Sequence, residues 1–199
     1  IFIYSFGNFL FTLGIHQSVV NSVVLEPFLL INTNENMLAF ANGQPIPHII
    51  NNIFVPTFGM VGGTGSTISL LIAIFIFSRQ QSAKQVARLS LAPGLFNINE
   101  PVIFGLPIVF NLPLMIPFVL LPAIGIYFAW LCTTLGFMSR CVVMIPWTTP
   151  PILSAWLATA GDWRAVVVQL AIIVFGVFFY LPFLKIAERV ALKNSGIEN

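Results

Sequence analysis

One acidic side chain, Glu100, lies within a long apolar stretch that runs over residues 91–110. A carboxylate at the centre of a bilayer costs at least ~2.5 kcal/mol on insertion scales unless it is solvated or paired, so such a residue indicates function. A structural alternative is a protonated Glu100 that hydrogen-bonds to the free N–H groups of broken backbone. The neighbouring Asn97 and Asn99 fit either interpretation.

Two further side chains suit the recognition of a polar ligand. At 100° per residue, one narrow face of the predicted first helix carries Ser5, Asn8, Thr12 and His16. This face favours a lined cavity, although a histidine that hydrogen-bonds between helices would look the same. Trp147 follows a proline inside a broken segment, and it fits both an interfacial anchor and an aromatic stacking platform.

The sequence lacks the motifs of several other kinds of chemistry. No zinc-ligand spacing, nucleophile elbow or Ser/His/Asp arrangement is present, which argues against a self-contained hydrolytic or redox reaction. The glycine run at residues 62–66 follows no predicted strand and lacks a Walker lysine, so we interpret it as close helix packing. Cys132 and Cys141 lack the spacing of a metal pair. We therefore predict no cofactor and no metal.

The composition indicates whether the chain folds in water or in a lipid bilayer. Of 199 residues, 58% are hydrophobic and 7% are charged, and the mean hydropathy is +0.97. A soluble domain carries roughly a quarter charged residues. The 8 basic and 6 acidic residues are too few for a nucleic-acid footprint. We predict an integral membrane protein whose partner is the lipid bilayer, and no nucleic acid.

The lengths of the apolar runs predict the membrane-spanning segments that position these residues. Residues 1–28 predict one spanning helix that ends at Glu26 and Pro27, and residues 32–48 predict a polar outer loop. Residues 49–77 return the chain through a segment that a proline and the glycine run interrupt.

The distribution of cations predicts the sidedness. Residues 78–90 and the tail at 185–193 are both rich in Lys and Arg, which places both on the cytoplasmic side. Residues 112–135 and 165–184 supply the two spans between them. The remaining cations and an acidic residue occupy the outer loop: Arg140, Asp162 and Arg164.

Two proline-rich segments, at residues 91–110 and 143–160, predict re-entrant hairpins. Irregular backbone at membrane depth survives only when it is buried in protein or lines a water-filled cavity. We therefore predict an all-α integral membrane protein, a transmembrane helix bundle with two re-entrant hairpins. Residues 1–199 form one such unit, and its architecture indicates a transporter.

These motifs resemble those of a known family. The segment FNINEPVIFGLP at residues 96–107 resembles the signature of phosphotransferase EIIC permeases of the lactose/cellobiose (diacetylchitobiose) type. Four further segments resemble the family in order along the chain: GIH at 14–16, GGTGS at 62–66, SLAPG at 90–94 and PWTTPP at 146–151.

The resemblance implies a larger protein. Family members are about twice as long, so we expect this chain, which begins inside an apolar segment without Met, to be the C-terminal half. The resemblance also implies a multi-pass protein of the bacterial cell (inner) membrane and a homodimer whose contacts lie largely in the N-terminal half.

The resemblance implies roles for particular residues as well. Glu100, Asn99 and His16 would contact the sugar, and Trp147 would stack on it. The permease would bind a disaccharide such as cellobiose, chitobiose or lactose and present its 6-hydroxyl to a phosphocysteine of EIIB, with Glu100 accepting the proton. Gln17 stands where the family pattern has glycine.

Two other functions remain open at this point. Discontinuous helices with an intramembrane carboxylate also describe ion-coupled secondary transporters. A membrane scaffold, in which the prolines and Glu100 serve only helix packing, would bind no small molecule.

Overall fold

The computed structural model describes residues 1–194, in which all regular secondary structure is helical and no strand is present. Residues 195–199 of the predicted unit lie outside the described residues. The elements are α1 (Phe2–Thr12), α2 (Ser18–Val20), a π-helical turn (Asn21–Leu25), α3 (Glu26–Ala41), α4 (Phe54–Gly59), α5 (Thr67–Phe77), α6 (Gln81–Leu95), α7 (Glu100–Gly105), α8 (Leu112–Thr134), α9 (Leu153–Ala158) and α10 (Trp163–Asn194). The predicted all-α class is confirmed.

The centre of the bundle is an antiparallel pair formed by α8 and α10. A Cβ added at Gly176 would lie 2.8 Å from the Leu121 side chain, which shows how closely the two helices approach each other. Helix α5 packs on the same part of α10, where Ser69 Oγ donates a hydrogen bond to the Ile173 carbonyl at 3.1 Å. Small residues at such contacts let the helix backbones approach each other, as in other membrane bundles.

Helices α8 and α10 are the two described helices that are long and apolar enough to cross a membrane. Less than half of the apolar stretch of each helix is buried in the protein, 44% and 39%. Large apolar side chains such as Val174 and Phe178 point outward, and surfaces of this kind need an apolar covering. The predicted spans at 112–135 and 165–184 are therefore confirmed as long apolar helices, and α10 continues past its predicted end.

The predicted single helix over residues 1–28 is wrong. Helix α1 ends at Thr12, and Gly14 adopts a φ of +90° in the break that follows. The chain then runs helically from Ser18 through Pro27 to Ala41. A proline ring clashes with the carbonyl one turn earlier in an ordinary helix, and the wider π-helical turn just before Pro27 relieves this clash.

The polar residues that predicted an outer loop at 32–48 lie partly on α3. Asn32 Nδ2 donates to the Ile50 carbonyl at 2.9 Å, and Asn36 Nδ2 donates to the His48 carbonyl at 2.8 Å. These amides satisfy the irregular backbone that follows α3. The predicted loop is thus confined to residues 42–53, because asparagines on a helix can serve a neighbouring loop as well as belong to one.

The two basic segments meet at one end of the bundle. Ser78 Oγ donates a hydrogen bond to Glu188 Oε1, and Lys185 Nζ donates to the Phe77 carbonyl at 2.5 Å. This arrangement agrees with the prediction that residues 78–90 and the tail share one side.

The predicted outer residues meet at the opposite end. Arg140 donates a hydrogen bond to the Ile46 carbonyl, and the Ser139 amide donates to Asp162 Oδ2 at 2.7 Å. The loop after α3 and the loops around α9 therefore form one end of the molecule.

The chain reverses direction within both of the segments that predicted hairpins. Helices α6 and α7 run antiparallel around a tip at residues 96–99, where Asn97 has a φ of +63°. The second reversal brings the amides of Val142 and Val143 to the Ala158 carbonyl, at 2.8 and 3.2 Å. Asn97 at the first tip donates a hydrogen bond to the Trp147 carbonyl in the second segment, so the two reversals lie beside each other.

Candidate functional site

A cavity of about 680 Å³ opens between four segments of the chain. Most of the lining comes from the break between α1 and α2 with the helix that follows, residues 52–64 with α4 and the start of the glycine run, the tip of the α6–α7 hairpin, and residues 144–151. The volume falls in the range of small-molecule binding sites. All four side chains that the sequence singled out line this one cavity: His16, Asn99, Glu100 and Trp147.

Glu100 is the first residue of α7, directly after the hairpin tip. Its side chain is exposed to the cavity and has no hydrogen bond or ion pair within the described part of the chain. The alternative in which Glu100 holds broken backbone together is therefore not what the structure shows. A carboxylate without a protein partner is free to accept hydrogen bonds from a ligand.

Asn97, and not Glu100, hydrogen-bonds to the irregular backbone around the hairpin tip. Its Oδ1 accepts a hydrogen bond from the Gly62 amide at 2.8 Å, and its Nδ2 donates to the carbonyls of Trp147 and Thr149 at 2.6 and 3.1 Å. Asparagine tolerates the left-handed backbone at this position better than most residues. One buried side chain thus joins three walls of the cavity.

Asn99 is likewise committed to the scaffold through its nitrogen. It is 3% exposed, and its Nδ2 donates to the Thr64 carbonyl at 2.6 Å and to Thr67 Oγ1 at 2.9 Å. Asn99 therefore connects the hairpin tip to the glycine run and the start of α5.

The glycine run forms a buried loop between α4 and α5. Gly62, Gly63 and Gly65 all have positive φ, and a Cβ on Gly63 would lie 2.4 Å from Asn99 Cγ. Tyr180 Oη donates to the Gly65 carbonyl at 2.7 Å, which satisfies part of the irregular backbone. The glycines do serve close packing, but in a loop that underlies the cavity and not between two regular helices.

His16 lies in the break after α1, so it does not extend a polar face of that helix. The predicted face with Asn8 and Thr12 is wrong, because α1 ends at Thr12 and both of these residues are buried. The His16 ring packs against Phe11 at 4.7 Å between centroids. The Ser18 amide donates to His16 Nδ1 at 3.3 Å. The tautomer that accepts this hydrogen bond carries its proton on Nε2, where it can be donated to a ligand.

Gln17 was noted in the sequence only as a departure from the family pattern, and the structure gives it a role. It is 9% exposed, and its Nε2 donates to Thr64 Oγ1 at 2.6 Å. Its Oε1 accepts a hydrogen bond from Asn21 Nδ2 at 3.3 Å. Gln17 therefore fastens the break that carries His16 onto the glycine run.

A second carboxylate, Glu26, lines the same cavity and was not predicted to do so. The sequence predicts a helix end at Glu26 and Pro27, whereas the helix continues past both residues. No Lys or Arg lines the cavity among the described residues. The lining therefore combines carboxylate acceptors, an imidazole donor and the exposed face of Trp147, a set that suits a neutral ligand rich in hydroxyl groups and disfavours an anion.

No group of three or more His, Cys, Asp or Glu side chains within residues 1–194 is arranged to hold a metal ion. The two cysteines are free thiols that lie apart from the cavity lining.

The fold is an all-α bundle with two helices long and apolar enough to cross a membrane, and the site is a cavity lined by polar and apolar side chains. A model of the family described as Phosphotransferase system, EIIC matches residues 1–122. The chain belongs to this EIIC family.

Solved and curated relatives agree with this assignment. The chain is 42% identical over 151 residues to the PTS system cellobiose-specific EIIC component of Lactococcus lactis subsp. lactis (strain IL1403), covering 72% of this chain and 31% of that protein. It is 36% identical over 190 residues to the PTS system oligo-beta-mannoside-specific EIIC component of Bacillus subtilis (strain 168), covering 94% of this chain and 42% of that protein.

A solved structure matches almost the whole chain. This is the transporter ChbC, the IIC component from the N,N'-diacetylchitobiose-specific phosphotransferase system, with 34% identity and a TM-score of 0.92. The match covers 98% of this chain and 46% of ChbC. The chain thus spans less than half the length of each of these relatives.

Proposed function

We propose that this chain forms the sugar-binding part of the EIIC permease of a phosphoenolpyruvate-dependent phosphotransferase system. The observation that carries the proposal is the convergence of Glu100, His16 and Trp147 on one cavity that no Lys or Arg lines among the described residues. The substrate is a disaccharide such as cellobiose, chitobiose or lactose. Relatives named for cellobiose and lactose and the structure of ChbC support this class.

We propose complementary roles for these contacts. Glu100 accepts hydrogen bonds from sugar hydroxyls, and His16 donates one through Nε2. Trp147, which is 55% exposed, packs its face on the C–H surface of the sugar. Asn99 contributes its Oδ1, since its nitrogen is already bound to the glycine run.

The charge of the lining also gives the transport a direction. The sugar O6 attacks the phosphorus of the EIIB phosphocysteine, the S–P bond breaks, and Glu100 accepts the hydroxyl proton. The phosphate adds about −1.5 to −2 charges at neutral pH. Once Glu100 has released this proton to solvent, the carboxylates of Glu100 and Glu26 repel the anionic product, so it leaves toward the cytoplasm. Related EIICB components join the two parts in one protein, which supports EIIB as the partner.

We further propose that the chain is a single multi-pass unit of a bacterial cell (inner) membrane. Helices α8 and α10 span the bilayer, and the two chain reversals are re-entrant hairpins. Their irregular backbone is satisfied by buried side chains such as Asn97, which is the condition for such backbone at membrane depth. The complete permease is a homodimer whose contacts come mainly from the N-terminal half.

One observation favours a second candidate, an ion-coupled transporter. Two carboxylates without protein partners among residues 1–194, Glu26 and Glu100, face one cavity, and such a pair also suits a bound cation. Uptake that collapses with an uncoupler at constant phosphoenolpyruvate would favour this candidate.

The deciding experiment uses membranes that contain the complete protein and the soluble phosphocarriers. Phosphoenolpyruvate-dependent phosphorylation of cellobiose, chitobiose and lactose is followed with and without EIIB. We expect one disaccharide to be phosphorylated only when EIIB is present, and Glu100→Gln to abolish both binding and phosphorylation. Glu35→Gln is the matched control, because Glu35 pairs with His48 away from the cavity. Unchanged sugar binding in Glu100→Gln would refute the role of Glu100.

A further inference from the structure

Glu26 makes no contact with the sugar in the proposed reaction. Its side chain is partly buried, lines the cavity, and has no hydrogen bond or ion pair within residues 1–194. Burying an unpaired carboxylate has a cost that a ligand with hydroxyl donors would offset. Its position therefore points to a ligand and not to the packing of α3.

Glu26 ends a row of polar side chains on one helix face. The row, here called the polar stripe, consists of Ser18, Ser22 and Glu26, and all three line the cavity. They are spaced by four residues, a spacing that drifts around an ideal α-helix of 3.6 residues per turn. The π-helical turn at Asn21–Leu25 holds more residues per turn, which counteracts this drift and returns Glu26 to the face of Ser18.

The polar stripe begins beside the residues that the proposed function already uses. Ser18 Oγ lies 2.8 Å from His16 Nδ1. From Ser18 to Glu26 the helix rises by at most roughly 12 Å, the value for an α-helix at about 1.5 Å per residue, because the wider π-helical turn rises less. Such a row extends beyond one pyranose ring that contacts His16 and Glu100.

We infer that the polar stripe is a second sugar subsite, in which Glu26 and Ser22 bind the hydroxyls of the second ring of a disaccharide. The inference rests on the proposed function, because it requires a sugar in the cavity. Glu100, His16 and Trp147 hold the ring that reacts, and Glu26 makes the site selective for a disaccharide over its constituent monosaccharide. Glu26 raises the affinity for the disaccharide and not for the monosaccharide, since only the disaccharide is long enough to reach it.

The test measures binding to the purified complete protein by equilibrium dialysis. The probes are radiolabelled cellobiose, diacetylchitobiose and lactose, together with glucose, N-acetylglucosamine and galactose. Glu26→Gln keeps the shape and removes the charge, so we expect about tenfold or weaker binding of the preferred disaccharide. Binding of its monosaccharide should stay within about twofold of wild type. Glu100→Gln should weaken both ligands, and Glu35→Gln should change neither.

The outcomes separate the inference from the proposed function. If wild type binds none of these sugars, the proposed function fails and the inference fails with it. If wild type binds a disaccharide and Glu26→Gln binds it equally well, or loses both sugars equally, only the subsite assignment is overturned. Ser22→Ala, which removes a single exposed hydroxyl, tests the same subsite should Glu26→Gln not be recovered folded.

Discussion

Asn97 Oδ1 accepts a hydrogen bond from the backbone amide of Gly62 at 2.8 Å, and this contact joins the hairpin tip to the glycine run. The same side chain donates to the Trp147 carbonyl at 2.6 Å. Glu100 lies three residues after Asn97, so the relative positions of the proposed carboxylate and the proposed stacking platform depend on one amide. This dependence makes Asn97 a positioning residue for the site.

Replacing Asn97 with alanine should weaken both the fold and the site. The change leaves the Gly62 amide and the Trp147 carbonyl without their partner, and each such buried group costs about 1–3 kcal/mol. We expect a lower midpoint of thermal unfolding in detergent and a loss of disaccharide binding. Asn42→Ala is the control, because the Asn42 side chain donates to the Leu38 carbonyl of its own exposed helix end. Equal unfolding midpoints for the two variants would contradict this role.

The glycine run should tolerate no side chain at Gly63. Its φ of +103° strains any L-residue, and the added Cβ would lie 2.4 Å from Asn99 Cγ. Strain and overpacking together predict a destabilisation of roughly 2–4 kcal/mol for Gly63→Ala. Gly43→Ala is a matched control. Gly43 also has positive φ, but a Cβ added there would meet no atom of the described residues within 4 Å, so a destabilisation of only about 1 kcal/mol is expected. Chemical unfolding measures the free energy of unfolding of both variants. A smaller loss of stability in Gly63→Ala than in Gly43→Ala would contradict the prediction.

The sequence predicted the helical class and the long apolar helices because composition and length decide these features. Motifs such as the one around Glu100 also located the residues that line the cavity, since an isolated carboxylate in an apolar stretch is costly unless it has a use. Their contact with a sugar stays a prediction.

The helix boundaries near the N-terminus were not predictable in the same way. Glu26 and Pro27 are ordinary helix-ending signals, but the π-helical turn before Pro27 lets the helix continue. Such a turn leaves no periodic signal in one sequence. The tethering role of Gln17 was equally hidden, because its partner Thr64 lies far away along the chain.

Asp162 should make stability depend on acidic pH. It caps α10, accepting hydrogen bonds from the Arg164 amide at 3.0 Å and the Ser139 amide at 2.7 Å. Burial opposes ionisation of this carboxyl, but the hydrogen bonds from Arg164 and Ser139 outweigh burial and hold its pKa well below the usual range. A lowered pKa in the folded state means that the stabilisation is complete above the unfolded pKa of about 4 and is lost as the pH falls further.

The measurement for Asp162 compares wild type with Asp162→Asn at several pH values. Near neutral pH the variant should be less stable by about 1 kcal/mol, as expected for a helix cap that loses its charge. The difference between the two proteins should stay constant from pH 7 to about pH 5 and shrink below about pH 4. A difference that is as large at pH 3 as at pH 7 would count against an ionised cap.

Gln17 should affect sugar binding through His16 and without contacting the reacting hydroxyl. Its hydrogen bond to Thr64 Oγ1, at 2.6 Å, fixes the break that presents His16 to the cavity. Gln17→Ala frees this break, so we expect disaccharide affinity to fall roughly tenfold, as for the loss of one or two buried hydrogen bonds. Thr64→Val removes the same hydrogen bond from the other side. If the tether acts as a unit, the double variant should lose no more affinity than either single variant. Additive losses in this double-mutant cycle would show that Gln17 and Thr64 act independently, with Gln17 touching the sugar directly.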